Sequence, residues 1–148
     1  MSEVGASRSG TDASSYFTFE QSEGEAPCGG RFVELDTDVE TMELLKGLTF
    51  RPVLGESLLV NFVHFEPHTE APLHSHAEEQ IAFVIDGEFE FEIAGEKRTL
   101  RRGMAAVIPP NVPHAARTYE KSCLEVDVFH PPRRALLEAM EQASQADR

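Results

Sequence analysis

Short runs rich in Val, Ile and Phe, cut every few residues by Gly, Pro or Asn, constrain this chain more than any other feature. "LTFRPVL" (48–54), "SLLVNFVHFE" (57–66), "QIAFVID" (80–86), "EFEFEIA" (88–94), "KRTLRR" (97–102), "AAVIP" (105–109), "HAARTY" (114–119) and "CLEVDVF" (123–129) follow one another with little between them. "YFTFE" (16–20) and "RFVEL" (31–35) alternate in the same way near the start. This cadence is that of an all-β sandwich or barrel. Asp86-Gly87 is the clearest hairpin dipeptide, suited to positive φ, and Gly95 marks a second hairpin.

Two stretches read as helices. "DTDVETMELLKG" (36–47) has early acidic residues and a Lys-Gly ending, which fit the dipole and C′ preferences of a short helix. "PPRRALLEAMEQASQA" (131–146) sets Leu136, Leu137 and Met140 on one side and reads as a C-terminal amphipathic helix packed on the barrel. Residues 1–30 form a flexible extension in this reading, 31–131 the barrel and 132–148 the terminal helix.

The 148 residues carry 13 basic and 26 acidic side chains, a net charge of −13. Binding to a phosphate backbone needs clustered Lys and Arg, so nucleic acid is not an expected partner. No apolar run approaches the roughly 20 residues of a membrane helix. The polar N-terminus lacks the apolar core of a secretory signal. Cys28 and Cys123 form no CxxC pair, so neither a structural disulfide nor a cysteine metal site is expected. A cytoplasmic protein acting on a small molecule is the resulting expectation.

Candidate chemistry sits in "HSHAEEQ" (74–80). On a strand, residues i and i+2 share a face, so His74 and His76 project together, with Gln80 four residues on. Gly103 and the proline-rich turn after it bring in His114. Three imidazoles and one oxygen donor suit a divalent transition metal. The full pattern is H-x-H-x3-Q-x6-G over 74–87, then G-x5-P-x-N-x2-H over 103–114. It resembles the two motifs of the cupin superfamily, with the match running over about 60–131. Asn111 replaces the second motif's usual glycine, a change suited to a positive-φ turn. Gln80 stands where the generic motif has Glu. Glu79 has the wrong parity to share its face, and Glu78 loses the six-residue spacing to Gly87.

The resemblance implies a jelly-roll-like β-barrel with one divalent metal held by His74, His76, Gln80 and His114. Zinc is the leading expectation; nickel, manganese and iron are the alternatives. Three neutral imidazoles and a neutral amide leave the full +2 charge on the ion, which favours Lewis-acid over redox chemistry. In "CLEVDVFHPPRR" (123–134), Cys123, Glu125, Asp127 and Phe129 share one face, and Leu124, Val126, Val128 and His130 the other. Periodicity favours the aliphatic face as the core. The "DVFxPPR" ending instead resembles a subgroup of small bacterial cupins with a His, His, Gln, His site, among them uronate-linearising enzymes of pectin and alginate breakdown. That implies Asp127 as general acid/base, Phe129 packed on the substrate and Arg133 holding a carboxylate or enolate.

His130 and Arg134-Ala135 depart from that subgroup, and about 50 residues precede "FRPVLGESLLVNF". The same class includes cyclases of poly-β-ketone chains, and an interior with Phe62, Phe83, Phe89 and Phe91 suits an apolar substrate. His64 is a further lining candidate if Val60, Phe62 and His64 face inward; His68 and His130 read as surface. The expected function is a non-oxidative, metal-dependent cyclisation, ring opening or isomerisation of a keto or enol substrate. A cupin dioxygenase and a non-catalytic binding protein are the alternatives. A homodimer is expected, with the strand at Tyr16–Phe19 as the candidate exchanged element.

Overall fold

The computed structural model describes Ser14, Tyr16, Phe17 and residues 29–148. The chain divides into two units, Met1–Phe32 and Val33–Arg148. In the first, Tyr16 and Phe17 lie in a turn with their rings edge to face at 4.9 Å. The rest of "YFTFE" lies outside the described residues, so the exchanged strand does too.

The second unit is nine strands and two helices. In order they are α1 (Leu35–Asp38), β1 (Met42–Leu45), β2 (Leu48–Leu54), β3 (Leu59–Phe65), β4 (Glu70–His74), β5 (Glu79–Ile93), β6 (Glu96–Arg101), β7 (Ala105–Ile108), β8 (His114–Arg117), β9 (Cys123–His130) and α2 (Arg134–Ala146). The strands form one curled sheet in the order β1-β2-β3-β9-β5-β8-β4, with β6 and β7 also paired to β5. The all-β expectation with a C-terminal helix is met. On α2, Leu136 is buried and joins Met42, Leu59 and Phe129, with Leu137 and Met140 packed alongside.

Three local readings are corrected. The helix over 36–47 shrinks to the single turn of α1, and Met42–Leu45 pairs antiparallel with β2 instead. Lys46-Gly47 closes that hairpin, with Gly47 at φ +84°, so its glycine serves a β-turn rather than a helix end. Pairing with β2 satisfies backbone groups that an edge would leave open, and this outweighs a weak helical propensity. Second, "RFVEL" forms no strand: residues 31–34 are irregular and Leu35 starts α1.

Third, Asp86-Gly87 is not a hairpin. β5 runs unbroken for 15 residues. Its first half pairs with β9 and β7, its second with β6 and β8. The register against β9 slips between Val84 and Asp86, which makes a bulge. Gln80, Ala82 and Val84 point inward before it, Phe89 and Phe91 after it. One extra residue thus switches the inward parity, as a bulge must. Gly87 lies at φ +76°, and a Cβ there would sit 2.0 Å from the Ser122 carbonyl oxygen. The Ala94-Gly95 turn is the hairpin expected, with both residues at positive φ.

Phe83 alternates with the inward Ala82 and Val84 and so lies on the outer face, not in the interior. β3 behaves likewise: Leu59, Asn61, Val63 and Phe65 are buried, whereas Val60, Phe62 and His64 take the opposite face. A row of outward apolar residues, Val53, Val60, Val128, Ile81 and Val107, crosses five strands in register.

Gly87→Ala is expected to destabilise the protein by more than about 2 kcal/mol, because backbone strain and a backbone clash combine. Gly95→Ala, with φ +86° and open space around its Cβ, should cost only about 1 kcal/mol. Urea unfolding of the two variants checks the ranking.

Candidate metal centre and cavity

His74 ends β4, directly opposite His114, which opens β8. His76 lies in the loop between β4 and β5 rather than on a strand. The pairing of His74 with His76 therefore comes from a turn and not from strand alternation. Asn111, at φ +65°, donates its backbone N–H to the His76 carbonyl at 2.7 Å and so ties the two motif loops together. Gln80 projects inward from β5. The three histidines offer ring nitrogens within 4.8 Å of one another and can hold a metal ion.

Their hydrogen bonds test whether a cation fits. Nδ1 of His74 meets the Pro72 carbonyl at 2.7 Å, Nδ1 of His76 the Glu78 carbonyl at 2.9 Å, and Nδ1 of His114 the Val112 carbonyl at 2.8 Å. A carbonyl only accepts, so each Nδ1 carries the proton and each Nε2 is left with a lone pair. Nε2 of His76 lies 3.2 Å from Nε2 of His114 and 3.0 Å from Gln80 Oε1. Converging lone pairs repel one another, and a divalent cation resolves the conflict. Burial lowers the pKa of both buried histidines; Arg133 adds to this at His76, and His114 falls to about 4. Both therefore stay neutral and able to ligate.

Gln80 also reaches away from the cage. Its Nε2 donates to Asp127 Oδ1 at 2.7 Å, which orients the amide with its oxygen toward His76. A glutamate at this position would set a carboxylate oxygen against that of Asp127. The departure from the generic motif and the presence of Asp127 thus belong to one arrangement.

On β9 the face with Cys123, Glu125, Asp127 and Phe129 is inward and buried, against the periodicity reading. Pairing with β3 and β5 on both sides shields the polar side chains enough to keep them in the interior. Burial raises the pKa of Asp127 to about 6, and burial together with Asp127 pushes Glu125 well above the carboxylate range. Phe129 sets its ring edge-on to His76 at 5.6 Å.

Glu78, the other candidate oxygen donor, turns toward the terminal helix. Its Oε2 accepts the Arg134 N–H at 2.8 Å, and its Oε1 lies 3.5 Å from Arg133 Nη1. A buried carboxylate of the histidine loop thus caps the first turn of α2 and holds Arg133 at the cavity. Burial raises its pKa, but the Arg134 amide, its own amide and the Arg133 charge outweigh this and keep it low. Sequence reasoning weighed Glu78 only as a ligand, and a contact 56 residues away leaves no local trace.

The cavity over these groups has a volume of about 290 Å³ and is lined by all three histidines, Gln80, Asp127, Phe129 and Arg133. His64 is not among its lining residues; it is half exposed on the outer face, beside Glu66 at 3.7 Å. The expectation for His64 is corrected by the inward parity of β3.

Residues 61–129 match the Cupin domain family. The pectin degradation protein KdgF of Dickeya dadantii (strain 3937) is 32% identical over 101 residues, covering 67% of this chain and 92% of that protein. The chain belongs to the cupin family. A solved structure of KdgF from Halomonas sp. is 30% identical with a TM-score of 0.66, over 74% of this chain and 99% of that one. An H2HPP isomerase of Bacillus subtilis is 30% identical over 100 residues, 66% of this cupin but 39% of the isomerase. The polyketide cyclase RemF from Streptomyces resistomycificus shares the fold, at 22% identity and a TM-score of 0.63 over 72% of this chain and 82% of that one. Two of these relatives carry enzyme names. Among the described residues, no helix is long and apolar enough to cross a membrane.

In chelator-stripped protein, His114 binds fewer protons folded (pKa about 4) than unfolded (ordinary value 6.5). Its contribution to stability is present above about pH 6.5 and is lost as pH falls toward 4. Urea midpoints of stripped protein measured across that window should fall, and less steeply in His114→Gln.

Proposed function

We propose that this cupin is a non-oxidative, metal-dependent enzyme acting on a keto or enol substrate by cyclisation, ring opening or isomerisation. The observation that carries the reading is the Gln80 amide, whose oxygen faces the histidine cage and whose nitrogen holds Asp127. His74, His76, Gln80 and His114 would hold a divalent ion, zinc foremost. Such an ion supplies Lewis acidity to a substrate oxygen while carrying its full +2 charge, since every ligand is neutral.

Because Gln80 rather than a carboxylate completes the cage, the negative charge lies one hydrogen bond away, on Asp127. There it is free to take a proton from a carbon next to a carbonyl and return it elsewhere, and a pKa raised to about 6 suits both directions near neutrality. Arg133, anchored by Glu78, faces the same cavity and offers charge to a substrate carboxylate or to developing enolate character. Phe129 covers the site and excludes water. The pectin degradation relative, taken with the "DVFxPPR" resemblance, supports a uronate as substrate, and the apolar lining supports a polyketone.

Elemental analysis should find about one equivalent of divalent metal in the wild type and little in His76→Ala. Asp127→Asn should keep the metal and lose turnover by about 10²–10⁴-fold, the usual weight of a general acid/base. Turnover should be the same under nitrogen as in air. Metal without any turnover change in Asp127→Asn would remove that residue's role, and oxygen dependence would favour the dioxygenase alternative. The outward row through Val60, Val128 and Ile81 supports a homodimer closed by a second copy. Val128→Glu should then elute later than wild type on size exclusion.

A further inference from the structure

Two buried acceptor atoms on residues that line the cavity have no hydrogen-bond partner among the described residues: Asn61 Oδ1 and Glu125 Oε2. Both residues are deeply buried, 1% and 3% exposed, and both line the cavity. They lie on adjacent strands. Asn61 stands opposite Asp127 and Val63 opposite Glu125, so Asn61 and Glu125 are diagonal neighbours on the inner face. Glu125 shares a hydrogen bond with Asp127, which occupies one side of its carboxyl and leaves Oε2 over. Neither atom has a part in the proton transfer proposed above.

These acceptors adjoin the far side of Asp127, which Gln80 links in turn to the histidines. Gln80 is level with Phe129 in the β5–β9 register, while Glu125 lies four residues along β9 and Asn61 on the neighbouring strand, so both acceptors come from backbone on the other side of Asp127 from the cage. Phe50, Val63, Phe65 and Phe91 line the cavity. A ligand bristling with hydroxyls would leave most of them unpaired against such walls, whereas a flat apolar body would not. At about 290 Å³ the cavity is at the small end of small-molecule sites, enough for a body of about two rings.

We propose that Asn61 and Glu125 form a second recognition point, accepting a hydrogen bond from a hydroxyl on an otherwise apolar ring ligand whose other end lies at the histidines. Only the placement of that other end rests on the proposed metal centre. The hydroxyl preference comes from the two acceptors alone. The substrate class this selects is a hydroxylated aromatic or enolised ring ketone, in preference to a sugar acid.

The test is fluorescence titration of the full chain with 2-naphthol and with 2-methoxynaphthalene, which matches its rings but has no donor. Each is run on chelator-stripped and on zinc-loaded protein. Naphthol should bind about tenfold tighter, the ratio given by one hydrogen bond of ordinary strength. A single hydroxyl hydrogen serves one of the two acceptors, so the ratio should fall to within about twofold in at least one of Asn61→Leu and Glu125→Leu. It should survive in Glu125→Gln, whose amide can donate to Asp127 and still present an oxygen. Melting temperature adds a second readout: Asn61→Leu removes an unpaired buried acceptor and should melt no lower than wild type.

Equal affinities in wild type, no binding of either probe, or a ratio untouched by both leucine variants would each overturn the inference. The wild-type pair alone decides it should a variant fail to fold. Zinc uptake without a hydroxyl preference would sink this subsite and spare the metal centre. A hydroxyl preference in protein that takes up no zinc would do the reverse.

Discussion

The Gln80 side chain joins the two halves of the candidate site. Its oxygen faces the lone pairs of the histidine cage and its nitrogen holds Asp127 at 2.7 Å. An amide is the side chain that can do both, because it presents an acceptor and a donor on one rigid plane. A carboxylate would offer two acceptors and meet Asp127 with like charge. The choice of amide therefore keeps a carboxylate out of the cage while holding Asp127 one hydrogen bond away.

That separation depends on the surrounding fold. β9 is central, paired with β3 on one side and β5 on the other, and so it can hold two carboxyls and a phenylalanine on its buried face. The bulge in β5 lets one strand supply Gln80 to the cage from its first half and Phe91 to the cavity wall from its second. Glu78 links the histidine loop to α2, so the cage and Arg133 are held by the same short segment. A disturbance at any of these three places should reach the others, since each fixes a position rather than merely filling space.

The polar groups left inside are as informative as those engaged. A buried acceptor without a partner costs stability, so two of them on diagonal neighbours of a cavity-lining face call for a ligand as their explanation. Under the inference drawn above, Asn61 and Glu125 would add a contact beyond Asp127, and the apolar surface of the cavity would narrow the chemistry of what enters.

Strand positions from Leu48 onward, β4 excepted, and the amphipathic α2 were legible because alternation and helical spacing are local properties of the chain. The four residues around the cage were legible from motif spacing. The sequence read alone misjudged Asp86-Gly87, because a positive-φ dipeptide serves a bulge as well as a hairpin, and only pairing with β9 decides between them. It also misplaced His64 and Phe83, since inward parity on β3 and β5 depends on register with neighbours far along the chain. What the residues by themselves determined was an all-β chain carrying a three-histidine, one-glutamine set. Tertiary structure alone decided which face of β9 is buried, that Glu78 caps a helix, and that Asn61 and Glu125 share one inner face. Those are contacts between segments tens of residues apart, and no local periodicity encodes them.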